Sequence, residues 1–216
     1  MQVNQPKEGG AELNPASNPK PEIRERPILF NGAMVRAILE GRKTVTRRVV
    51  IRSSQAETIF PSDFSASEAM VELNSTRFGT TWWKACPYGK PGDRLWVRET
   101  FRDARTAGAS RILYKASGDV ACGWKPSIHM PRDCSRILLE VTDVRVERLQ
   151  SVTYEQAVGE GIHRHNRVWS ATDEGGACHQ YPEPAFRDLW LSTGGDWDAN
   201  PWVWVVEFKR MEVPHA

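Results

Sequence analysis

The chain has 216 residues, 40% of them hydrophobic, and a formal net charge of +2. That is enough apolar material for one core with insertions, or for two small domains. The near-neutral balance excludes a general polycation, so affinity for a polyanion has to come from a local patch. No apolar run approaches the roughly 18–20 residues of a membrane span.

Residues 1–25 are rich in Pro, Asn, Glu and Gly and lack aromatics, the composition of a disordered tail. They contain no apolar signal-peptide core, which makes a cytoplasmic location the expectation. Pattern begins at Arg26–Phe30, a short apolar strand. Met34, Val35, Ile38 and Leu39 then recur at helical spacing. Asn31 is placed to cap that helix and Gly41 to end it, so the prediction is a helix over 32–40. Lys43–Ile51 is dense in β-branched residues and predicts a strand. Residues 53–81 show no sustained pattern and read as an insertion.

A turn at Gly92-Asp93 precedes a strand at Arg94–Thr100, and Ile112–Ala116 is another. Ser135–Leu149 alternates best of all, with Asp143 marking a bend. Thr153 and Gln156 have the spacing of a capping box and Gly161 supplies a stop, so a short helix lies between. His163–Glu183 is polar and Gly-rich. The stretch P-E-P-A-F-R-D-L-W-L-S-T-G-G from Pro182 is then helical, with Pro184 near the first turn and Gly194 at the end, and Val203–Arg210 is the closing strand. Few βαβ units of proper length occur. The expected fold class is α+β: a small mixed β-barrel with short flanking helices over 26–213, and loop insertions near 52–81, 117–134 and 163–183.

The cations Arg36, Arg42, Lys43, Arg47, Arg48 and Arg52 cluster in the first third of the chain. They read either as a phosphate-gripping patch or as a charged face in solvent. Cys86, Cys122, Cys134 and Cys178 form no C-x-x-C pair and read as free thiols. His163-x-His165 and Cys178-His179 match no standard structural zinc spacing, so neither a metal nor a cofactor is expected. Among nine tryptophans, Trp202 and Trp204 share one strand face. Trp82 and Trp83 cannot both point inward. Trp83 is a candidate platform for a stacked base, the alternative being an aromatic that clamps a loop to the core. Glu160 ends a helix, where a carboxylate opposes the macrodipole, which suggests a specific reason for its presence.

Four segments taken together resemble the ASCH domain family, whose barrel is similar to the PUA RNA-binding domain. They are G-R-K-T-V-T-R-R at 41–48, P-G-D-R-L-W-V-R-E at 91–99, the strand and helix ending E-G-I at 160–162, and W-V-W-V-V-E-F-K-R at 202–210. The longer layout is similar to ASCH-like proteins of bacteriophages and prophages. The resemblance implies an RNA or nucleoside partner, and the lack of a long apolar run leaves no membrane expected. One branch hydrolyses the amide of N4-acetylcytidine, and mapping its functional residues gives Lys43, Thr46 and Glu160 as the catalytic candidates. Arg42, Arg47, Arg48, Glu99 and Trp83 are the ligand-binding candidates, with Glu99 as a second carboxylate or a partner for Arg48. Arg47 stands where an apolar residue is more usual in the family. Other readings are a non-catalytic RNA-binding module, a ribonuclease, and a phage assembly accessory protein.

Amide hydrolysis needs a nucleophile, a base and a proton donor for the leaving amine. A threonine hydroxyl needs a base within hydrogen-bond reach, and a lysine is a base only if burial or neighbouring cations lower its pKa. On a regular strand, positions three apart point to opposite faces. Lys43 and Thr46 therefore meet only if the chain is still turning after Gly41.

Overall fold

A computed structural model of the chain describes residues 22–51, 59–105, 108 and 111–212. The expected tail up to residue 21, the start of the first insertion at 52–58, and Arg52 lie outside the described residues. In chain order the elements are β1 (Glu25–Leu29), α1 (Gly32–Leu39), β2 (Val45–Val49), β3 (Ile59–Ser65), β4 (Met70–Ser75), β5 (Thr80–Ala85), β6 (Arg94–Arg98), β7 (Phe101–Asp103), β8 (Ile112–Tyr114), β9 (Leu138–Arg148), α2 (Tyr154–Gly159), β10 (His163–His165), β11 (Val168–Ser170), α3 (Pro182–Ser192) and β12 (Trp202–Met211). The class is α+β, with strands predominating.

The central sheet has the order β1-β6-β9-β12-β2. β1 runs parallel to β6, and the other three ladders are antiparallel. β1 and β2 stand at its two ends, and no ladder closes them into a barrel among the described residues. The longest ladder, β9 with β12, carries one irregularity. Glu207 faces Asp143 while Phe208 faces Val141, so Thr142 is an extra residue, a β-bulge beside the expected bend. Trp204, Val206 and Phe208 on β12 pack with Leu139, Val141 and Val144 on β9 in the main core.

Local chemistry explains the helices. Asn31 caps α1 by accepting from the Met34 N–H at 2.9 Å. Thr153 and Gln156 form the capping box of α2. α3 starts at Pro182, because proline fits a first helical turn, where its missing N–H costs nothing.

Residues 53–81 depart from the patternless reading. From Ile59 onward they form most of an antiparallel meander, β3-β4-β5. Only β4 alternates clearly, burying Val71 and Leu73, and β5 is exposed along its whole length, so the periodic signal spans a single strand. Within 163–183, β10 and β11 form a hairpin across Asn166 and Arg167, both with positive φ (45° and 71°), as a two-residue primed turn requires. No helix among the described residues is long and apolar enough to cross a membrane.

Candidate functional site

The segment after α1 does not become a strand at once. Gly41 takes a left-handed φ of 76°, and the Arg42 and Lys43 N–H groups both donate back to the Ala37 carbonyl. Lys43 then forms an isolated antiparallel bridge with Glu160, and the Thr44 N–H donates to the Gly159 carbonyl at 2.8 Å. β2 therefore begins at Val45, two residues later than the expected strand, because the end of α2 takes the backbone of Lys43 and Thr44. Gly161 makes this meeting possible. Its φ is 86°, and a Cβ there would lie 2.7 Å from the Lys43 Cβ and 2.9 Å from the Ala37 Cβ.

At this junction three charged side chains leave water together. Lys43 Nζ donates to Glu160 Oε2 at 2.8 Å, to the Glu160 carbonyl at 2.8 Å and to the Val45 carbonyl at 2.9 Å. Those three acceptors use all three ammonium protons. Arg47 Nη1 donates to Glu160 Oε1 at 3.1 Å, and Nη2 reaches Gln156 at 2.5 Å and Glu147 at 3.4 Å. The side chains of Lys43 and Arg47 are 0% exposed and that of Glu160 4%. Burial pushes the Lys43 ammonium below its ordinary pKa, against the pull of the Glu160 carboxylate, and Arg48 and Arg47 push it the same way as burial.

Thr46 is buried but bonds to neither partner: its side chain makes no hydrogen bond among the described residues. In the ladder with β12 it faces Val206 while Arg47 faces Val205, so the two lie on opposite faces of the pleat. Thr46 and Glu160 do border one cleft of about 20 Å3, walled also by Arg47, Phe186, Leu189 and Trp190. Lys43 is not in that wall. The structure thus joins Lys43 to Glu160 and sets Thr46 and Glu160 on the wall of one cleft, without a hydrogen bond between nucleophile and base.

Next to the cleft lies an open groove of about 890 Å3. Met34, Arg48 and Thr193 border both spaces. The groove wall includes the start of α1, the cations Arg36, Arg48, Arg98 and Lys115, and the rings of Phe30 and Tyr88. Arg48 lies over the Phe30 ring at 5.4 Å and donates to the Leu29 carbonyl at 2.8 Å. Burial pushes the Tyr88 phenol above its ordinary pKa, against the pull of Arg48. Arg36 is engaged by two carboxylates, Asp173 at 2.5 Å and Glu174 at 2.6 Å, and Glu174 also borders the groove.

No family model, curated protein or solved structure matches the chain. The site therefore stands on its geometry.

Four of the expected ligand-binding residues have other surroundings. Glu99 is not a partner of Arg48: it is buried and receives Arg136 Nε at 2.9 Å and Nη2 at 3.0 Å. Burial pushes its carboxyl above the ordinary value despite both bonds. Arg47, expected at the ligand, spends its terminal nitrogens on Glu160, Gln156 and Glu147. Trp83 is exposed on β5 opposite Glu72 and borders neither the groove nor the cleft. Arg42 donates to the Gly161 carbonyl at 2.8 Å and so braces the same glycine turn.

Sequence reasoning missed Arg98, Lys115 and Tyr88. Arg98 left a faint signal, since on β6 it shares a face with Trp96, while Leu95 and Val97 alternate into the core. Among the described residues no group of three or more His, Cys, Asp and Glu side chains is arranged to hold a metal, and His179 pairs with Asp188 at 2.6 Å. All four cysteines are free thiols.

Proposed function

We propose that the chain is an ASCH-type protein that binds single-stranded RNA or a nucleoside derivative in the groove beside β2. One observation carries this reading. The groove is large enough for a nucleotide-sized ligand, and its wall combines Arg48, Arg98 and Lys115 with the half-buried Tyr88. Cations track a phosphate backbone and aromatic faces accept bases, whatever the sequence. The ASCH and PUA-like assignment is supported by how its motif residues meet: the lysine of G-R-K-T-V-T lies on the glutamate of E-G-I. A cytoplasmic setting fits such a ligand.

The test is fluorescence anisotropy with a labelled single-stranded RNA across a salt series. The expected result is saturable binding that weakens steeply with salt, and weakens further in Arg48→Ala and Arg98→Ala. Binding that ignores salt and both substitutions would overturn the reading.

A second reading, hydrolysis of a modified cytidine amide, is favoured by Thr46 and Glu160 sharing one cleft. It requires the Lys43–Glu160 contact to open, because no proton of Lys43 is free. Acetate release from N4-acetylcytidine should then rise with pH through the lowered lysine pKa and vanish in Thr46→Ala. Wild-type protein that releases no acetate removes this reading and leaves the binding one.

A further inference from the structure

The β3-β4-β5 sheet has two outer strands, and only one of them is guarded against pairing with further chain. β3 carries Pro61, which has no N–H to offer, a register irregularity between Pro61 and Asp63, and the charge of Asp63. Such features blunt a sheet edge. β5 has none of them. It contains no proline, its ladder with β4 runs without a break, and all six of its residues are exposed. Its one charged side chain, Lys84, is turned inward, with Nζ donating to the Val50 carbonyl at 2.7 Å.

The ladder fixes which backbone groups of β5 are free. The Cys86 N–H, one residue beyond the strand, donates to the Ala69 carbonyl at 2.7 Å, on the β4 side. Backbone groups alternate in direction along a strand, and the register is unbroken from Ala85 opposite Met70 to Thr80 opposite Ser75. The N–H and C=O groups of Thr80, Trp82 and Lys84 therefore point to β4. Those of Thr81, Trp83 and Ala85 point away from it, and no strand takes them among the described residues. The side chain of Trp83 stands on the Glu72 face of the sheet, 44% exposed, and that of Trp82 on the Leu73 face, 38% exposed.

An antiparallel copy of the same strand fits this edge. A two-fold axis perpendicular to the sheet at Trp83 sets Trp83 against Trp83 and Thr81 against Ala85. Every residue in those pairs has outward-pointing groups, so each pair exchanges both hydrogen bonds. On the Leu73 face the same register sets Lys84 against Trp82, and no like charges stand opposite one another. We propose that β5 pairs with β5 of a second copy of this chain, joining two β3-β4-β5 sheets edge to edge in a symmetric homodimer. The proposal is independent of the groove reading, since no residue of β5 borders the groove or the cleft.

The test uses the full chain. Sedimentation equilibrium over a concentration series should show a monomer–dimer equilibrium for wild type. Trp83→Lys and Trp83→Glu each set like charges across the two-fold axis, so each should abolish the dimer while circular dichroism shows the fold retained, the position being exposed. An equimolar mixture of the two variants should restore the dimer, because in this register position 83 meets only itself. Ala85→Pro removes an outward-pointing N–H, leaves the bonds to β4 in place, and should also weaken the dimer. Wild type that stays monomeric up to its solubility limit overturns the proposal. A dimer that survives both charge substitutions places the interface elsewhere and overturns it too. So does a mixture that fails to recover the dimer, which excludes the symmetric register.

Discussion

Lys43 and Glu160, 117 positions apart in the chain, are held together twice through one ammonium: Nζ donates to the carboxylate and to the backbone carbonyl of the same glutamate, each at 2.8 Å. Arg47 occupies the other carboxylate oxygen. One buried anion therefore serves two buried cations, and the two partners of the ion pair are not equivalent. Glu160→Gln leaves two cations facing a neutral amide and should cost about 3–5 kcal/mol, the range for breaking a buried pair. Lys43→Met keeps the aliphatic volume and leaves Glu160 paired with Arg47, so it should cost less, about 1–3 kcal/mol. Urea denaturation of both variants checks the order, and an equal or reversed order would show that Glu160 is not the shared centre.

The same burial gives Lys43 a pH signature. Its pKa lies below the ordinary lysine value in the folded chain, chiefly through desolvation. Between the lowered value and the ordinary one, the unfolded chain binds the proton more tightly than the folded chain. Stability from this group therefore rises with pH across that window. Comparing wild type with Lys43→Met isolates it from the buried thiol of Cys86, which burial pushes up to about 11 and which acts in the opposite sense. The stability of wild type relative to the variant should increase from neutral pH toward pH ~10. A difference that stays flat or falls would contradict the assigned direction.

In the groove, single-residue changes should read out as salt slopes. Removing one cation that neutralises a phosphate of a single strand lowers the slope of log affinity against log salt by about 0.7. Arg48→Ala, Arg98→Ala and Lys115→Ala should each do so, whereas Trp83→Ala, on β5 and outside the groove wall, should leave both slope and affinity unchanged. A large effect at Trp83 would move the ligand onto the β3-β4-β5 sheet.

Asp173 and Glu174 occupy Arg36 at the groove wall. Asp173→Asn with Glu174→Gln should free that cation, tighten RNA binding and steepen its salt dependence. Stability should move the other way. The Arg36 hydrogen bonds hold the Asp173 carboxyl below its ordinary pKa, so its contribution is complete above the ordinary aspartate range and is lost as pH falls through the lowered value. Asp173→Asn should thus destabilise at neutral pH and become neutral in acid. Thermal melts at both pH values, beside the anisotropy series, decide the matter.

Much of the scaffold is legible in the sequence because its signals are local. Asn31 before an apolar helix face, the Thr153–Gln156 box and the long alternation of β9 each declare an element within a few residues. The meander of β3 to β5 is not legible, because its burial amounts to Val71 and Leu73 on one strand beside an edge that buries nothing. The Lys43–Glu160 contact cannot come from local pattern at all, being a closure across more than half the chain. Family resemblance nominates both residues, but as catalytic groups, and nothing in the sequence reveals that every lysine proton is already taken. The bond between Arg136 and Glu99 is invisible for the same reason, which is why the sequence places Glu99 beside Arg48.

The extra residue at Thr142 has a consequence for chain length. Before it, odd-numbered side chains of β9 (Leu139, Val141) face the core; after it, the even-numbered Val144 and Val146 do, while Arg145 and Glu147 turn to the side of Arg47. The bulge works as a phase shift in the pleat. Paired without the bulge, the same strand would set Asp143 and Arg145 against Val206 and Trp204 in place of Val144 and Val146, whereas deleting Thr142 would remove the bulge and keep both valines on the core face. The bulge thus absorbs the second residue between Val141 and Val144, and it is what keeps a strand whose apolar pattern changes parity on a single hydrophobic face.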